Sequence, residues 1–333
     1  MSYNYSNYTQ FGIQGDAERY AYAGWLIFVT ISSLIGDTTI LVASIKYKAF
    51  HIHKIVVTFI QHIAVCDLLN AVLVVLPGAV SVIANRGGSH KILNYVRFFF
   101  TYYLFTSSCY FLTAMTLSKL LLLKYPLRTC SWSTRRAHVL CAGIWTAVLS
   151  IPTLYLLVDT DDVIFDYRVY FCVYKYTSTI WKVLSPVIAL FTLFAPNMAI
   201  IVSTVMLLNI ARKVVRGNQR TLRWQGILTV VVTATVYTLS FLPLTVYLIA
   251  EPFVKKDPLV PGFFYVEFYR VTSSFMNINT LANFFVYSLT VASFRAFLRT
   301  KFRQATTNKF NVFSPGSFHI SLNHSIKKSL WLH

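Results

Sequence analysis

Acidic residues are scarce in this sequence, and along one alternating set of its connections they are absent. The 333 residues hold 11 Asp+Glu against 30 Lys+Arg, and charged residues make up 12% of the chain. Cysteine is also sparse. Of the five, Cys66, Cys109 and Cys141 lie in apolar segments, Cys130 lies in a basic connection, and Cys172 stands alone on the opposite side. No disulfide within the chain is therefore expected on an oxidising face. Neither a His-Glu-x-x-His pattern nor paired cysteines occur, and no set of nucleophile and base is legible, so an enzyme is not expected. The polar start, MSYNYSNYTQFGIQGDAERY, lacks the charged onset and apolar core of a cleavable signal.

What is present in abundance is apolar sequence, in seven long segments: Gly24 to Ile45, Ile55 to Val80, Phe98 to Leu117, Val139 to Val158, Val183 to Ile210, Gly226 to Ala250 and Val271 to Ala292. A helix of about 20 apolar residues crosses a bilayer, because it pairs its own backbone amides where no water can. Each segment is long enough, so the expectation is an all-α membrane protein, a seven-helix bundle.

The connections sort by charge. Twenty of the 30 bases, from Lys46, Lys48 and Lys54 through Arg135, Arg136, Arg212 and Arg223 to Arg295, Arg299 and Arg303, lie on the set without acids. Nine acids, among them Asp16, Glu18, Asp159, Asp161, Asp162 and Glu267, lie on the other set, and Asp37 and Asp67 fall inside apolar segments. Basic loops stay on the cytoplasmic side, so an odd number of spans puts the amino terminus outside. The division expected is an extracellular tail over 1–23, the bundle over 24–292, an amphipathic cytoplasmic helix over 293–303 and a cytoplasmic tail over 304–333. The formal charge of +19 sits beside membrane spans, where lipid headgroups and acidic partner surfaces account for it better than nucleic acid. Asn4-Tyr5-Ser6 and Asn7-Tyr8-Thr9 are glycosylation acceptors in an external tail, with Asn4 and Asn7 as the expected sites.

Carboxylates within a bilayer are costly and face a bundle interior or a wet cavity, so Asp37 and Asp67 are functional candidates. The plainer alternative for each is a hydrogen-bonding group that ties helices together.

All seven spans carry further residues in an ordered series. Gly36-Asp37 stands in the first, Ala64-Val65-Cys66-Asp67-Leu68 in the second, and Ser118-Lys119-Leu120 ahead of Tyr125-Pro126-Leu127-Arg128 in the third. Trp145 and Pro152 follow in the fourth, Pro196 in the fifth and Ser240-Phe241-Leu242-Pro243 in the sixth, with Asn283-Phe284-Phe285-Val286-Tyr287 closing the seventh. The series resembles that of rhodopsin-like, class A, G-protein-coupled receptors. It departs from the family where Asp37 replaces an asparagine, Lys119 an arginine, Phe241 a tryptophan and Phe284 a proline. The stretch around Phe294, Phe297, Leu298 and Phe302 looks like the family's eighth helix.

The resemblance implies roles. Asp67, Ser108, Asn279 and Asn283 match positions that hold an allosteric sodium ion, and oxygen donors suit a hard cation. Thr101, Phe105, Phe241 and Asn277 match ligand-pocket positions. Ser118, Lys119, Leu120 and Tyr287 match those that switch and couple to G protein. Asn277 stands where a retinal Schiff-base lysine would be and Thr101 where amine receptors carry an aspartate, which disfavours both ligand classes. Cys172 matches the outer-loop cysteine, but Asn94 replaces its partner, so a looser outer loop is expected. Arg223 stands where many members carry an acid that locks the third span to the sixth. The implied partners are an extracellular ligand of unidentified class, heterotrimeric G protein, arrestin and the lipid bilayer. Two alternatives stand beside this reading: a divergent seven-helix receptor that does not couple, and a multi-pass channel or transporter. No internal repeat or paired broken helices support the latter.

Overall fold

The computed structural model describes residues 15–46, 54–84, 91–125, 133–158, 163–166, 171–174, 179–215, 222–254, 262–291, 294–300 and 303. Asn4, Asn7, Asp159, Asp161, Asp162 and Cys130 lie outside them.

The helices are α1 (Asp16–Lys46), α2 (Lys54–Asn70), α3 (Leu76–Ala84), α4 (Lys91–Lys124), α5 (Thr134–Val158), α6 (Thr179–Ala189), α7 (Ala195–Val215), α8 (Leu222–Val254) and α9 (Gly262–Thr290), followed by α10 (Phe294–Thr300). α2 and α3 form one span joined by a π-helical turn, Ala71–Val75, and α6 and α7 form another joined by Leu190–Phe194. Pro77 and Pro196 each stand two residues beyond such a turn. A proline ring clashes with the carbonyl four residues back and donates no hydrogen bond, and a locally widened helix absorbs both defects.

Six spans are long and apolar enough to cross a membrane by themselves, and the seventh qualifies together with the helix that follows it. The weaker signal in α9 comes from its buried polar face, which carries Thr272, Asn277, Asn279, Thr280 and Asn283. The protein is a seven-helix bundle, with α4 packed against α2, α5, α7 and α8. Large apolar side chains line its outside, where Leu157, Leu239 and Leu289 are 79%, 68% and 76% exposed. An apolar exterior around a partly polar interior suits lipid as the solvent.

At the basic end, α10 leaves α9 at 93°. The Arg295 guanidinium donates to the carbonyls of Leu289 and, at 3.5 Å, Ser288, so a cation satisfies the exposed carbonyls of the helix end. Phe294 and Phe297 are buried beneath α10 while Arg299 is exposed. At the opposite end the helical architecture gains one small addition, a hairpin of β1 (Val163–Asp166) and β2 (Phe171–Tyr174) that pairs Phe165 with Cys172 and packs on α4.

Candidate functional site in the bundle core

Asp67 is buried on α2, and Asn283 of α9 donates Nδ2 to its Oδ2 at 2.7 Å. This contact joins two of the four residues expected to form a cation pocket. The other two are also inside: Ser108 on α4 and Asn279 on α9 are 4% and 2% exposed. The Ser108 hydroxyl has no hydrogen-bond partner among the described residues. A buried hydroxyl without a partner forfeits the hydrogen bonds it made to water, so Ser108 leaves an oxygen unused in the bundle interior, a donor type that suits a hard cation.

Asp37 has a different environment. Ser33, one turn earlier on α1, donates to Asp37 Oδ2 at 2.7 Å and leans on the Asp67 backbone carbonyl at 3.4 Å. The carboxylate therefore orients a serine that links α1 to α2, and the helix-tying role weighed for Asp37 has a geometric basis. Its second oxygen, Oδ1, is buried without a partner among the described residues. Ser33 carried no signal in the sequence, since one serine among apolar residues does not reveal which helix it faces.

Of the expected ligand-pocket residues, Phe105 and Phe241 meet directly. Their rings stack at 4.5 Å, and Tyr237, one turn before Phe241, continues the stack at 3.9 Å. Thr101 and Asn277 are buried, and the Thr101 hydroxyl donates to its own helix at the Arg97 carbonyl, 2.7 Å away. The aromatic stack bridges α4 and α8.

At the basic end, Ser118, Lys119 and Leu120 are all buried, although they close a span at its polar margin. The Lys119 ammonium crosses from α4 to α8 and ends against Gly226: a Cβ built there would lie 3.0 Å from Nζ. Glycine thus makes room for the cation. Tyr287 of α9 is 1% exposed, with Thr233 of α8 beside its hydroxyl, and Thr229 and Thr290 bind each other at 2.9 Å across the same two helices. The side chain of Arg223 falls outside what the structure describes.

At the outer end, the two positions that lack the family's covalent tether are close together. Cys172 is 3% exposed and its thiol donates to Asn94 Oδ1 at 3.7 Å. Cys172 packs in one apolar cluster with Phe98, Tyr155 and Leu26. Burial pushes the Cys172 thiol up to about 11, against the opposing pull of the Arg97 guanidinium. Arg97 is itself buried on α4 and reaches Ser81 at 3.3 Å, a contact the sequence did not reveal. A second unforeseen group ties α2 to α5, where Trp145 Nε1 donates to His62 Nδ1 at 3.1 Å and Phe111 stacks on His62 at 5.2 Å. The four described cysteines, Cys66, Cys109, Cys141 and Cys172, are free thiols.

No curated protein sequence matches the chain. The family model described as 7 transmembrane receptor (rhodopsin family) matches residues 37–287, a stretch that runs from Asp37 through Asp67, Lys119 and Phe241 to Tyr287. With three quarters of its length covered, the chain belongs to the rhodopsin family of seven-transmembrane receptors.

Proposed function

We propose that this receptor sits in the plasma membrane with its amino terminus outside, binds an extracellular ligand above the Phe105–Phe241 stack, and activates heterotrimeric G protein from its basic end. The observation that carries the reading is the burial of Lys119 against Gly226, which puts a cation at the seam between α4 and α8. When α8 moves away from α4, the ammonium is freed to meet carbonyl groups of a partner inserted there. Lysine keeps the charge of the family's arginine but not its planar fork of donors. The basic connections carry no acid, so no ion pair with a carboxylate from them holds this seam closed. Such an exposed pair is worth roughly 1 kcal/mol or less, and without it the resting equilibrium shifts toward the active packing by that amount. Basal signalling follows.

The test is G-protein dissociation across all subfamilies in cells expressing the unliganded receptor, with Lys119→Arg and Lys119→Ala at matched surface levels. Signal in the wild type and in arginine, lost in alanine, supports the reading. Silence equal to vector control in all three contradicts it and favours the non-coupling alternative.

The pocket around Asp67 fits a bound sodium ion, which Asp67, Ser108, Asn279 and Asn283 would hold and which would supply the positive charge that balances the carboxylate. Asn283 orients Asp67 by its amide, and the Ser108 hydroxyl offers an unused oxygen. Sodium is expected to raise the thermal stability of purified wild type and to leave Asp67→Asn unchanged. Equal shifts in both would remove the ion from the account.

A further inference from the structure

Among the six spans that qualify by themselves, α5 is the least enclosed: 22% of its apolar stretch is buried inside the bundle, against 39% to 67% in the other five. Its main helix neighbours are α4 and α2. With few buried apolar contacts, its attachment leans on polar ties between helices. Two of these meet at Trp145. The Trp145 carbonyl accepts from the Tyr103 hydroxyl of α4 at 3.2 Å, and the indole Nε1 donates to His62 Nδ1 of α2 at 3.1 Å.

The tie to His62 exists in one protonation state. An indole N–H can only donate, so His62 Nδ1 holds a lone pair and the proton of the neutral ring sits on Nε2. A second proton would go to Nδ1 and set two N–H groups against each other at hydrogen-bond distance. Phe111, 0% exposed, is stacked on the imidazole at 5.2 Å and 26° and holds its plane, so the clash separates the rings instead of being absorbed by a tilt. His62 is partly buried, while His138, four residues into α5 from the basic end, is exposed with its ring 6.2 Å away. Protons from the aqueous phase at that end therefore have a short path to the imidazole.

The groups around His62 leave its charge uncompensated. α5 turns His138 toward it, with Cys141 one turn further along; α4 presents Phe111; α1 meets α2 through Ser44 and Gln61. Cys66 follows one turn later on α2, and the Asp67 carboxylate beyond it is engaged by Asn283. Lys54, Arg135 and Arg136 open α2 and α5 and are exposed. No carboxylate acts on the ring.

We propose that the His62–Trp145 bond is a proton-operated latch between α2 and α5, closed at neutral pH and opened by acidification at the basic end. The stability it confers is present above about pH 6.5, the ordinary imidazole value, and is lost as the pH falls below it, because the open form takes up a proton that the latched form refuses.

The test is the melting point of the purified receptor in nanodiscs, followed by tryptophan fluorescence from pH 8 to pH 5 in EDTA. Wild type is expected to lose roughly 2–4 °C over that range, the size of one buried hydrogen bond, in excess of His62→Asn, whose amide oxygen accepts from Trp145 but takes no proton. Trp145→Phe should melt low at pH 8 and lack the same component. His138→Asn should move the transition to higher pH, because a charge there opposes one on His62. In wild type with ¹⁵N-labelled histidine, one imidazole should show Nε2 protonated and Nδ1 bare at pH 8 and both nitrogens protonated in acid, a spectrum that does not depend on any variant folding. Equal pH profiles for wild type and His62→Asn, a full acid loss in Trp145→Phe, or no histidine of that tautomer at pH 8 overturns the proposal. So does His138→Asn abolishing the transition, which would make His138 the sensor. None of these readouts involves G protein, so the latch stands or falls apart from coupling.

Discussion

Gly36→Ala separates tight packing from intrinsic helix preference. A Cβ at Gly36 would lie 2.9 Å from the Phe284 Cβ and 3.4 Å from its Cγ, whereas carbon atoms rest at about 3.5–4.0 Å. The atom met first belongs to the stem of Phe284, which no rotamer change moves, so α1 and α9 must part by roughly 0.6–1 Å. Overpacking of this kind costs about 1–3 kcal/mol, set against the ~1 kcal/mol that alanine gains over glycine inside a helix. Gly143, also helical, has nothing within 4 Å of its Cβ position, so Gly143→Ala should keep the gain without the cost. The two variants are expected to differ by about 2 kcal/mol in opposite directions from wild type, read as several degrees between their melting points. A thiol-reactive dye serves as the reporter, because Cys66, Cys109, Cys141 and Cys172 are all buried in the folded receptor. Should Gly36→Ala melt with Gly143→Ala, the close approach of α1 to Phe284 is wrong.

The bond from Trp145 to His62 can be weighed by a double-mutant cycle: Trp145→Phe leaves the His62 acceptor unpaired at a cost of about 1–2 kcal/mol, and melting points that add independently with those of His62→Phe would dismiss the bond. Cys172 has a thiol raised to about 11, and only thiolate reacts. Its labelling by a charged maleimide should therefore be slow at neutral pH and rise roughly tenfold per pH unit until that value, while a rate flat above pH 9 would contradict the raised value.

Much of the architecture could be read before any coordinates, because a bilayer demands long apolar helices and the basic connections mark one side. The residues that face inward were legible where a polar group interrupts apolar sequence, as at Asp37 and Asp67, whereas Lys119 beyond the third segment was marked by the family resemblance alone. Partners were not. Spacing along a helix gives a face, but Ser33 reaching the Asp67 carbonyl, Trp145 reaching His62 and Lys119 ending at Gly226 depend on which helices are neighbours. Cys172 shows the same limit from the other direction: the missing covalent partner could be read from the sequence, but the packing with Phe98 and Tyr155 and the contact of the thiol with Asn94 could not. The π-helical turns ahead of Pro77 and Pro196 also escaped sequence reading, since a proline announces a defect in the backbone but not how the helix resolves it.

The central claim is that this bundle activates G protein through a cation at the α4–α8 seam. The most direct measurement is guanine-nucleotide exchange on purified heterotrimers by the purified receptor in nanodiscs, with Lys119→Arg and Lys119→Ala beside it. The account predicts exchange faster than with empty discs for wild type and Lys119→Arg and a loss of that acceleration in Lys119→Ala; wild-type exchange no faster than with empty discs, or full acceleration by Lys119→Ala, would contradict it.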